Sequence, residues 1–337
     1  MAAELAVLLL STAAAWVLTG ATRNYALRLA LLDHPGPRSS HTRSTPRGGG
    51  LAIVVCYLTT VATLAAWEWL PSILALGLGG AGLLVAAIGL ADDRGQVSIG
   101  RRLLVHFLAA AWGLIWLAPG WSMPSGIDGW LAAGSSLLAL VWLLNLYNFM
   151  DGIDGIAGVE TISVAAGAVL IWPQPQDEGL RLTLVVLAGS AAGFLIWNWA
   201  PAKIFLGDVG SGFLGLVLGL SAYAAPALGG PNLWCWMILL AVFLVDATLT
   251  LGRRMLRRER WWQPHRSHAY QRLARRWGSH SRVSLAVTAV NLLWLLPLAW
   301  AAAQRPLQAP WLALVALLPL LLAGLWAGAG QPDEVGR

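Results

Sequence analysis

Charged residues are scarce in this sequence: Asp, Glu, Lys and Arg make up 11% of its 337 residues, whereas hydrophobic residues make up 58%. Soluble domains carry about 25% charged residues, so this composition excludes a water-soluble globular protein. The apolar segments also lack the alternation of apolar and polar residues that marks the strands of a membrane barrel. Because lipid is spanned either by helices or by closed barrels, the sequence predicts an all-α polytopic membrane protein with about 10–11 transmembrane helices.

Cysteine is also scarce, and the sequence has no low-complexity tract and no convincing repeat. Cys56 and Cys235 lie in apolar stretches far from any Cys/His cluster, so we expect two buried thiols rather than a disulfide or a metal site. We therefore interpret residues 1–337 as one integral membrane domain whose main polar loops are 22–48 and 253–282.

The first apolar segment lacks the basic residue that precedes the apolar core of a signal peptide. It carries Glu4 instead, and Arg23 and Arg28 follow it, an order that favours an uncleaved helix with its N-terminus outside. Ten further spans follow. The eleven predicted spans are 2–21, 49–69, 72–91, 103–119, 129–147, 155–173, 181–199, 210–226, 232–252, 283–303 and 309–328.

Basic residues are distributed unevenly between the loops. Of the 22 Lys and Arg residues, only Arg181 and Arg305 lie outside one set of alternate loops and the C-terminus. Because basic residues keep loops in the cytoplasm, this set is predicted to be cytoplasmic, and the net charge of +6 is attributed to topology rather than to nucleic-acid binding. A phosphate-rich substrate is compatible with the same charge. The set comprises the loops 22–48, 92–102, 148–154, 200–209 and 253–282.

Acidic residues concentrate on the same predicted face, where a charge beside an apolar helix end is costly unless it is paired or binds a metal. Asp92 and Asp93 end the third span. Adjacent acids repel, so in a dry setting one holds a proton or both face a cation. Arg101 and Arg102 follow and either offset this pair or bind phosphate.

Asn148, Asp151 and Asp154 form a second acidic motif. If this segment opens the next helix, the two Asp side chains share one face at i, i+3 spacing. Glycines at 152 and 155 allow a ligand to approach the backbone closely. An Asp N-cap is the structural alternative, but it accounts for one of the two acids.

A third motif runs from Asn198 through Lys203 and Phe205 to Asp208 and the glycine-rich sequence 207–212. Backbone N–H groups at the start of the following span are suited to an anion, and Asp208 is suited to a hard cation. Mg²⁺ prefers one or two carboxylates together with substrate phosphates.

The first and last cytoplasmic loops are basic. Arg38 and Arg47 with the glycines 48–50 suit phosphate binding, with a positive-inside anchor as the alternative. In the last loop, His265, Arg266 and His268 lack the Cys or carboxylate that would complete a zinc set, so phosphate contact is favoured. Asp246 lies inside a span. It is either a functional acid or a packing partner for an Arg.

These segments, in this order between about Asp33 and Arg272, resemble the polyprenyl-phosphate N-acetylhexosamine-1-phosphate transferase family. That family includes bacterial initiators of O-antigen and enterobacterial common antigen and the phospho-MurNAc-pentapeptide translocase. The matching motifs are the loop 38–50, the pair Asp92-Asp93, the segment 148–155, the segment 201–211 and the His265 loop.

The resemblance implies a Mg²⁺-dependent enzyme of the bacterial inner membrane, with Mn²⁺ as an alternative metal. The phosphate of undecaprenyl phosphate would attack the β-phosphorus of a UDP-N-acetyl sugar and release UMP, a reaction that depends mainly on positioning and charge neutralisation. A two-step route through an Asp nucleophile remains open. The lipid bilayer is a further partner, nucleic acid is not expected, and a homodimer is compatible with the sequence.

Roles for individual residues follow from the resemblance. Asp208, supported by Asp151, is expected to bind the metal, and Asp92 or Asp93 to orient or deprotonate the lipid phosphate. Asn148 and Asp154 are expected to help bind the nucleotide, and Asn198 and Phe205 to hold uracil. The residues assigned to phosphate or sugar contact are Arg38, Arg47, Arg101, Arg102, Lys203, His265, Arg266 and His268.

The last loop bears on the donor sugar. It carries His-Arg-Ser-His where the peptidoglycan translocase has a run of consecutive histidines. It looks most similar to O-antigen initiators that use UDP-N-acetyl-6-deoxyhexosamines such as UDP-FucNAc or UDP-QuiNAc, with UDP-GlcNAc as the alternative. A transporter or flippase is the rival from another class, but it predicts acids near mid-membrane on several spans, whereas Asp246 is the deep acid identified here.

Overall fold

The computed structural model describes residues 2–36, 43–95, 97–117, 126–172, 178–259, 263 and 265–332. Two short strands, β1 (Leu32–Asp33) and β2 (Thr45–Pro46), pair antiparallel, and nearly all the other elements are helices. The α-helices are α1 (Ala2–Arg28), α2 (Leu51–Ala66), α3 (Ser72–Arg94), α4 (Ile99–Leu117), α5 (Gly126–Met150), α6 (Ile156–Leu170), α7 (Glu178–Asn198), α8 (Asp208–Ala224), α9 (Leu233–Leu239), α10 (Ala241–Leu256), α11 (Ala269–Trp277), α12 (His280–Val290), α13 (Leu296–Gln304) and α14 (Ala309–Ala327).

Each of the eleven predicted spans coincides with a helical segment, which confirms the all-α polytopic fold. Within the described ranges, eight segments are long and apolar enough to cross a membrane. The span predicted at 232–252 is a helix pair, α9 and α10, bent by 76°. Helices α2 and α6 are apolar but have only 16 and 15 residues, shorter than the roughly 20 that a bilayer requires.

Helices α7 and α8 form the centre of the bundle and are the most enclosed of the long helices. Helix α8 packs against α3 and α5, and α7 packs against α1 and α6. Small residues permit the close approach, since a Cβ on Gly215 would lie 2.6 Å from the carbonyl oxygen of Leu143. The centre is therefore held at short backbone distances, which fixes the helix ends that carry the polar motifs.

The outer helices expose large apolar side chains, as expected of a protein surrounded by lipid rather than by water. Leu108 of α4, Leu293 and Trp311 are examples, with exposed fractions of 56%, 78% and 70%. Arg181, one of the two basic residues outside the predicted cytoplasmic loops, forms an ion pair with Glu4.

At one end of the bundle, the segment before α2 pairs with the segment before α8. The backbone N–H groups of Gly49 and Gly50 donate to the carbonyl oxygens of Phe205 and Leu206 at 2.9 and 2.8 Å. A Cβ on Gly50 would overlap the Cα of Gly210. These contacts bring the glycines 48–50 of the first cytoplasmic loop and the third sequence motif to the same place.

Candidate active site

Asp208, the first residue of α8, lies at the centre of a polar cluster formed by four helix ends. The Nη1 atom of Arg102 lies 3.0 Å from one Asp208 carboxylate oxygen and 2.5 Å from a carboxylate oxygen of Asp92. The side-chain amide of Asn148 donates to the other Asp208 oxygen at 2.7 Å and to the Ser211 hydroxyl at 2.9 Å. The cluster thus brings together residues from α3, α4, α5 and α8.

Asp93 holds the start of α8 in place. Its two carboxylate oxygens accept the backbone N–H groups of Asp208 and Val209 at 3.0 and 3.1 Å, and its side chain is buried. Gly207 has φ +77°, and a Cβ there would lie 2.5 Å from an Asp93 carboxylate oxygen. The glycine-rich sequence predicts that these N–H groups suit an anion, and in the structure they donate to the Asp93 carboxylate.

The segment 151–155 is a loop, in agreement with the predicted loop 148–154, so the condition under which both acids would share one helix face is not met. Helix α6 starts at Ile156, after Gly155 in the left-handed region at φ +82°. The Asp151 carboxyl is partly accessible from the site, yet enclosing protein raises its pKa well above the usual value, and Asp208, Asp93 and Asp154 raise it further. This crowding of carboxylates favours a proton or a cation at Asp151.

Asp154 is tied into the surrounding backbone. Its carboxylate accepts the N–H of Ala202 at 3.1 Å, and the Nδ1 atom of His280 lies 3.3 Å from the same carboxylate oxygen. The Ser284 hydroxyl donates to the Asp154 carbonyl oxygen at 2.9 Å. Sequence reasoning missed His280 because it lies beyond the family motifs, and no signal in the chain marks it.

Asn198 joins two loops. Its side-chain oxygen accepts the N–H of Gly155 at 2.9 Å, and its amide donates to the Ile204 carbonyl oxygen at 3.0 Å. The side-chain ammonium of Lys203 lies 5.5 Å from the centroid of the Trp197 ring. Asn198 therefore connects the 151–155 loop with the loop before α8. Lys203 lies in that second loop and faces the Trp197 ring.

A cavity of about 280 Å³, here called the central cavity, opens onto these groups. It brings together nine of the acidic, amide, aromatic or basic side chains named above with two further polar residues, Asp33 and Gln271. Its lining residues are Asp33, Arg47, Asp93, Asn148, Asp151, Gly152, Ile153, Asp154, Asn198, Phe205, Leu206, Gly207, Asp208, Gln271 and His280.

A second cavity of about 490 Å³, here called the adjoining cavity, shares Asp154, Gln271 and His280 with the central cavity. Its wall adds Arg266 and Arg275, whose guanidinium donates to the Arg266 carbonyl oxygen at 3.0 Å. The two cavities therefore adjoin at three shared residues, and the second one adds two arginines to the carboxylate-rich lining of the first.

Other predicted residues lie around this region. Arg38 falls outside the described residues. Arg101 is exposed on α4 and lines neither cavity among the described residues. The ring of His265 stacks on that of His268 with centroids 5.0 Å apart, and His268 is buried.

Asp246 accepts hydrogen bonds from the start of α11 and from the Thr250 hydroxyl on its own helix, rather than from an Arg. Its carboxylate accepts the backbone N–H groups of Ala269 and Tyr270, both at 2.9 Å, and contacts the His268 ring at 3.2 Å. The hydroxyl of Tyr270 then donates to the Phe149 carbonyl oxygen at 3.0 Å. Asp246 thus holds α11 against the loop that carries Asp151.

A second buried acid escaped the sequence analysis. Glu160 of α6 has no exposed surface, and its carboxyl accepts the side-chain amide of Asn291 at 2.7 Å. Asn291 begins a π-helical turn between α12 and α13. Asp246 is therefore not the one deep acid of the bundle.

The donor set suits a cation that takes few protein ligands. In the part of the chain that the structure describes, no three His, Cys, Asp or Glu side chains converge into a protein-only metal site. Mg²⁺ is bound by one or two carboxylates together with waters and substrate phosphates. The carboxylates of Asp208 and Asp151, which face the same cavity, fit that requirement.

Comparison with known proteins agrees with this geometry. Residues 75–225, which contain the Asp92, Asp151 and Asp208 motifs, match the glycosyl transferase family 4 model. The decaprenyl-phosphate N-acetylglucosaminephosphotransferase of Mycolicibacterium smegmatis is 30% identical over 325 residues, which cover 85% of this chain and 78% of that protein. The chain belongs to the polyprenyl-phosphate N-acetylhexosamine-1-phosphate transferase family.

Other members of this transferase family align over similar lengths. The probable undecaprenyl-phosphate N-acetylglucosaminyl 1-phosphate transferase of Bacillus subtilis is 29% identical over 285 residues, covering 80% of this chain and 77% of that protein. A phospho-N-acetylmuramoyl-pentapeptide-transferase of Picosynechococcus is 30% identical over 244 residues, covering 66% and 63%. The family prediction made from the motifs is thereby confirmed.

Proposed function

We propose that this chain transfers an N-acetylhexosamine-1-phosphate from a UDP-sugar to undecaprenyl phosphate and releases UMP. The observation that carries the proposal is the convergence of Asp92, Asp208 and Arg102 with Asn148 beside a cavity that Asp151 also lines. Carboxylates and an arginine at one point suit a diphosphate donor and a phosphate acceptor, since phosphoryl transfer depends on positioned charge.

The central cavity is the proposed site of the UDP portion of the donor. Phe205 on its wall offers a ring for stacking on uracil, and Arg47 offers a cation for the diphosphate. The adjoining cavity would then receive the sugar, with Arg266 at its wall, and His265 and His268, which stack on each other, are close in sequence to Arg266. Asn198, whose amide already joins two loops, would act on uracil mainly by positioning the loop before α8.

Asp208 and Asp151 are the proposed Mg²⁺ ligands, with Mn²⁺ as a substitute. The bound cation would neutralise negative charge on the donor diphosphate. The chain's own residues hold the geometry: Asn148 orients the Asp208 carboxylate, and Asp93 fixes the backbone from which it projects.

The proposed reaction is a direct displacement. An oxygen of the lipid phosphate forms a bond to the β-phosphorus, and the bond from that phosphorus to the bridging oxygen breaks, so that UMP leaves with the bridging oxygen. Asp92 is better placed than Asp93 to orient the acceptor, since both Asp93 oxygens are occupied by backbone N–H groups. A sugar phosphate trapped on Asp208 would replace this route by a two-step one.

Two donor classes are supported by different observations. The His-Arg-Ser-His sequence of the last loop supports a UDP-N-acetyl-6-deoxyhexosamine such as UDP-FucNAc or UDP-QuiNAc, as used by initiators of O-antigen synthesis. The names of the Bacillus and Mycolicibacterium relatives support UDP-GlcNAc at least as strongly. The proposed location is the bacterial inner membrane with the site facing the cytoplasm, supported by the basic loops on that face.

The test is UMP release by the purified full-length chain with undecaprenyl phosphate and a panel of the three UDP-sugars. One donor should support release at least tenfold faster than the others, an effect of about 1.4 kcal/mol in transition-state binding. EDTA should abolish release and Mg²⁺ should restore it. Release that persists after chelation would overturn the metal assignment, and no release with any donor would overturn the function.

A further inference from the structure

A narrow cleft, here called the α4 cleft, lies beside Asp208 and next to the central cavity. Asp208 and Asn148 line both spaces, whereas Arg102 and His106 line the cleft alone. The rest of its wall includes the apolar side chains of Val85, Ile88 and Leu144. The cleft therefore runs from charged groups at the site to an apolar lining between helices.

His106 is buried in this cleft with 7% of its surface exposed. Its Nδ1 atom and the Nε atom of Arg102 are both shielded from solvent, and neither has a hydrogen-bond partner among the described residues. Buried polar atoms normally have partners, and an unpartnered one costs about 1–3 kcal/mol. Two such atoms at one cleft indicate that a polar ligand completes the site.

The two side chains are spaced to share one ligand. Arg102 and His106 are four residues apart on α4, so they lie on the same helix face about 5–6 Å apart at Cβ. A phosphate oxygen accepts hydrogen bonds from charged donors at about 2.7–2.9 Å, so one phosphate group can contact both nitrogens. On the opposite face of α4, Leu104 and Leu108 are 60% and 56% exposed. That face is the one predicted to contact lipid, so Arg102 and His106 lie on the inner face of the helix.

We propose that His106 and Arg102 together bind the phosphate of the polyprenyl acceptor at the α4 cleft. This inference rests on the proposed transferase function. It adds His106, which lies outside every motif identified in the sequence, as a residue that contacts the acceptor.

Binding requires Arg102 to change partners. The α4 cleft encloses about 20 Å³, room for about one water molecule, so a phosphate group enters only when the guanidinium turns from Asp92 and Asp208 towards it. The phosphate replaces the two carboxylates as the anionic partner of Arg102. Occupation of the acceptor site thereby releases Asp208 for the donor side of the reaction.

The test compares His106→Leu, which fills similar volume without a ring nitrogen, with His106→Gln, which retains an N–H donor. With saturating UDP-sugar, His106→Leu should raise the KM for undecaprenyl phosphate about tenfold to hundredfold, the range for a lost hydrogen bond to a charged group. The KM for the UDP-sugar should stay unchanged, and His106→Gln should remain within about threefold of the wild type. Equal effects of both variants on both KM values would reduce His106 to a packing residue and overturn the proposal.

A binding measurement tests the phosphate site without requiring turnover. Farnesyl phosphate should raise the melting temperature of the full-length wild type and of His106→Gln but not of His106→Leu, and farnesol should raise none of them. If wild type shows this shift without releasing UMP, the transferase proposal fails while the phosphate site stands. If His106→Leu is stabilised as much as wild type, the phosphate site fails whatever the activity.

Discussion

The carboxylate of Asp93 accepts the backbone N–H of Asp208 at 3.0 Å, so one acid of the site supports the helix that presents another. A carboxylate at a helix start satisfies free N–H groups and interacts favourably with the helix dipole. Here the capping group comes from α3, over a hundred residues earlier in the chain. The position of the Asp208 side chain consequently depends on the packing of α3 against α8.

Replacing Asp93 by Ala should lower the stability of the protein and should also slow UMP release. Two buried N–H groups lose their acceptor, at a cost of about 1–3 kcal/mol each. Asp93→Asn, which keeps one carbonyl oxygen, should fall between Asp93→Ala and wild type. Thermal unfolding of the purified chain checks this order, and an Asp93→Ala variant that melts with wild type would contradict the capping role.

Asp208→Asn and Asp151→Asn should each lower Mg²⁺-dependent UMP release by about a hundredfold or more, the scale of losing a group that stabilises transition-state charge. Asp128→Asn is the matched control, because Asp128 is exposed at the start of α5 and distant in sequence from the motifs. It should retain wild-type release. Near-normal release by a well-folded Asp208→Asn or Asp151→Asn protein would contradict the proposal that this residue binds the metal.

Gly50→Ala should prevent the site from assembling. The added Cβ would overlap the backbone of Gly210, which no side-chain rotation relieves. Gly100→Ala is the control, since a Cβ at Gly100 meets no atom within 4 Å and Ala favours a helix by about 1 kcal/mol over Gly. We expect little folded Gly50→Ala protein by size-exclusion chromatography and a normal yield of Gly100→Ala. Equal yields and equal activity would contradict the close approach of the two segments.

Asp246→Ala should release α11 from α10. The variant leaves the N–H groups of Ala269 and Tyr270 without their acceptor, so it should lower the unfolding temperature and make the segment 265–277 more sensitive to protease. Asp246→Asn retains one oxygen acceptor and should be affected less. A protease pattern identical to wild type in both variants would show that α11 is held by other contacts.

The sequence alone predicted the spans well, because runs of Leu, Ala, Val and Trp leave few alternatives in lipid. It did not predict the 76° bend between α9 and α10, since neither Pro nor Gly lies at Leu240 to mark a break. Nor did it show that α6 is too short to span a bilayer by itself. Helix α6 begins only after the 151–155 loop, which ends at Gly155 in the left-handed region. The backbone N–H of Gly155 donates to the Asn198 side chain, so the start of α6 depends on a contact with another helix.

The motifs also predicted which acids come together at the site, but not what each one contacts. Asp92 and Asp93 are adjacent and chemically identical, yet one pairs with Arg102 and the other caps α8. This division depends on how α3 is rotated against α8, which is a property of packing rather than of composition. His106, His280 and Gln271 escaped notice for the same reason, since each reaches the site only through the arrangement of its helix.

The pairing of Gly49 and Gly50 with Phe205 and Leu206 has a consequence for biogenesis. During synthesis the N-terminal segments emerge first. Phe205 and Leu206, which pair with the 45–50 segment, are synthesised only after helices α1 to α7. Until then its N–H groups and the Asp92-Asp93 pair have no α8 to bind. The candidate site is therefore completed late in assembly, and a chain arrested before residue 208 would contain seven of the fourteen α-helices described here while lacking Asp208 and the rest of α8.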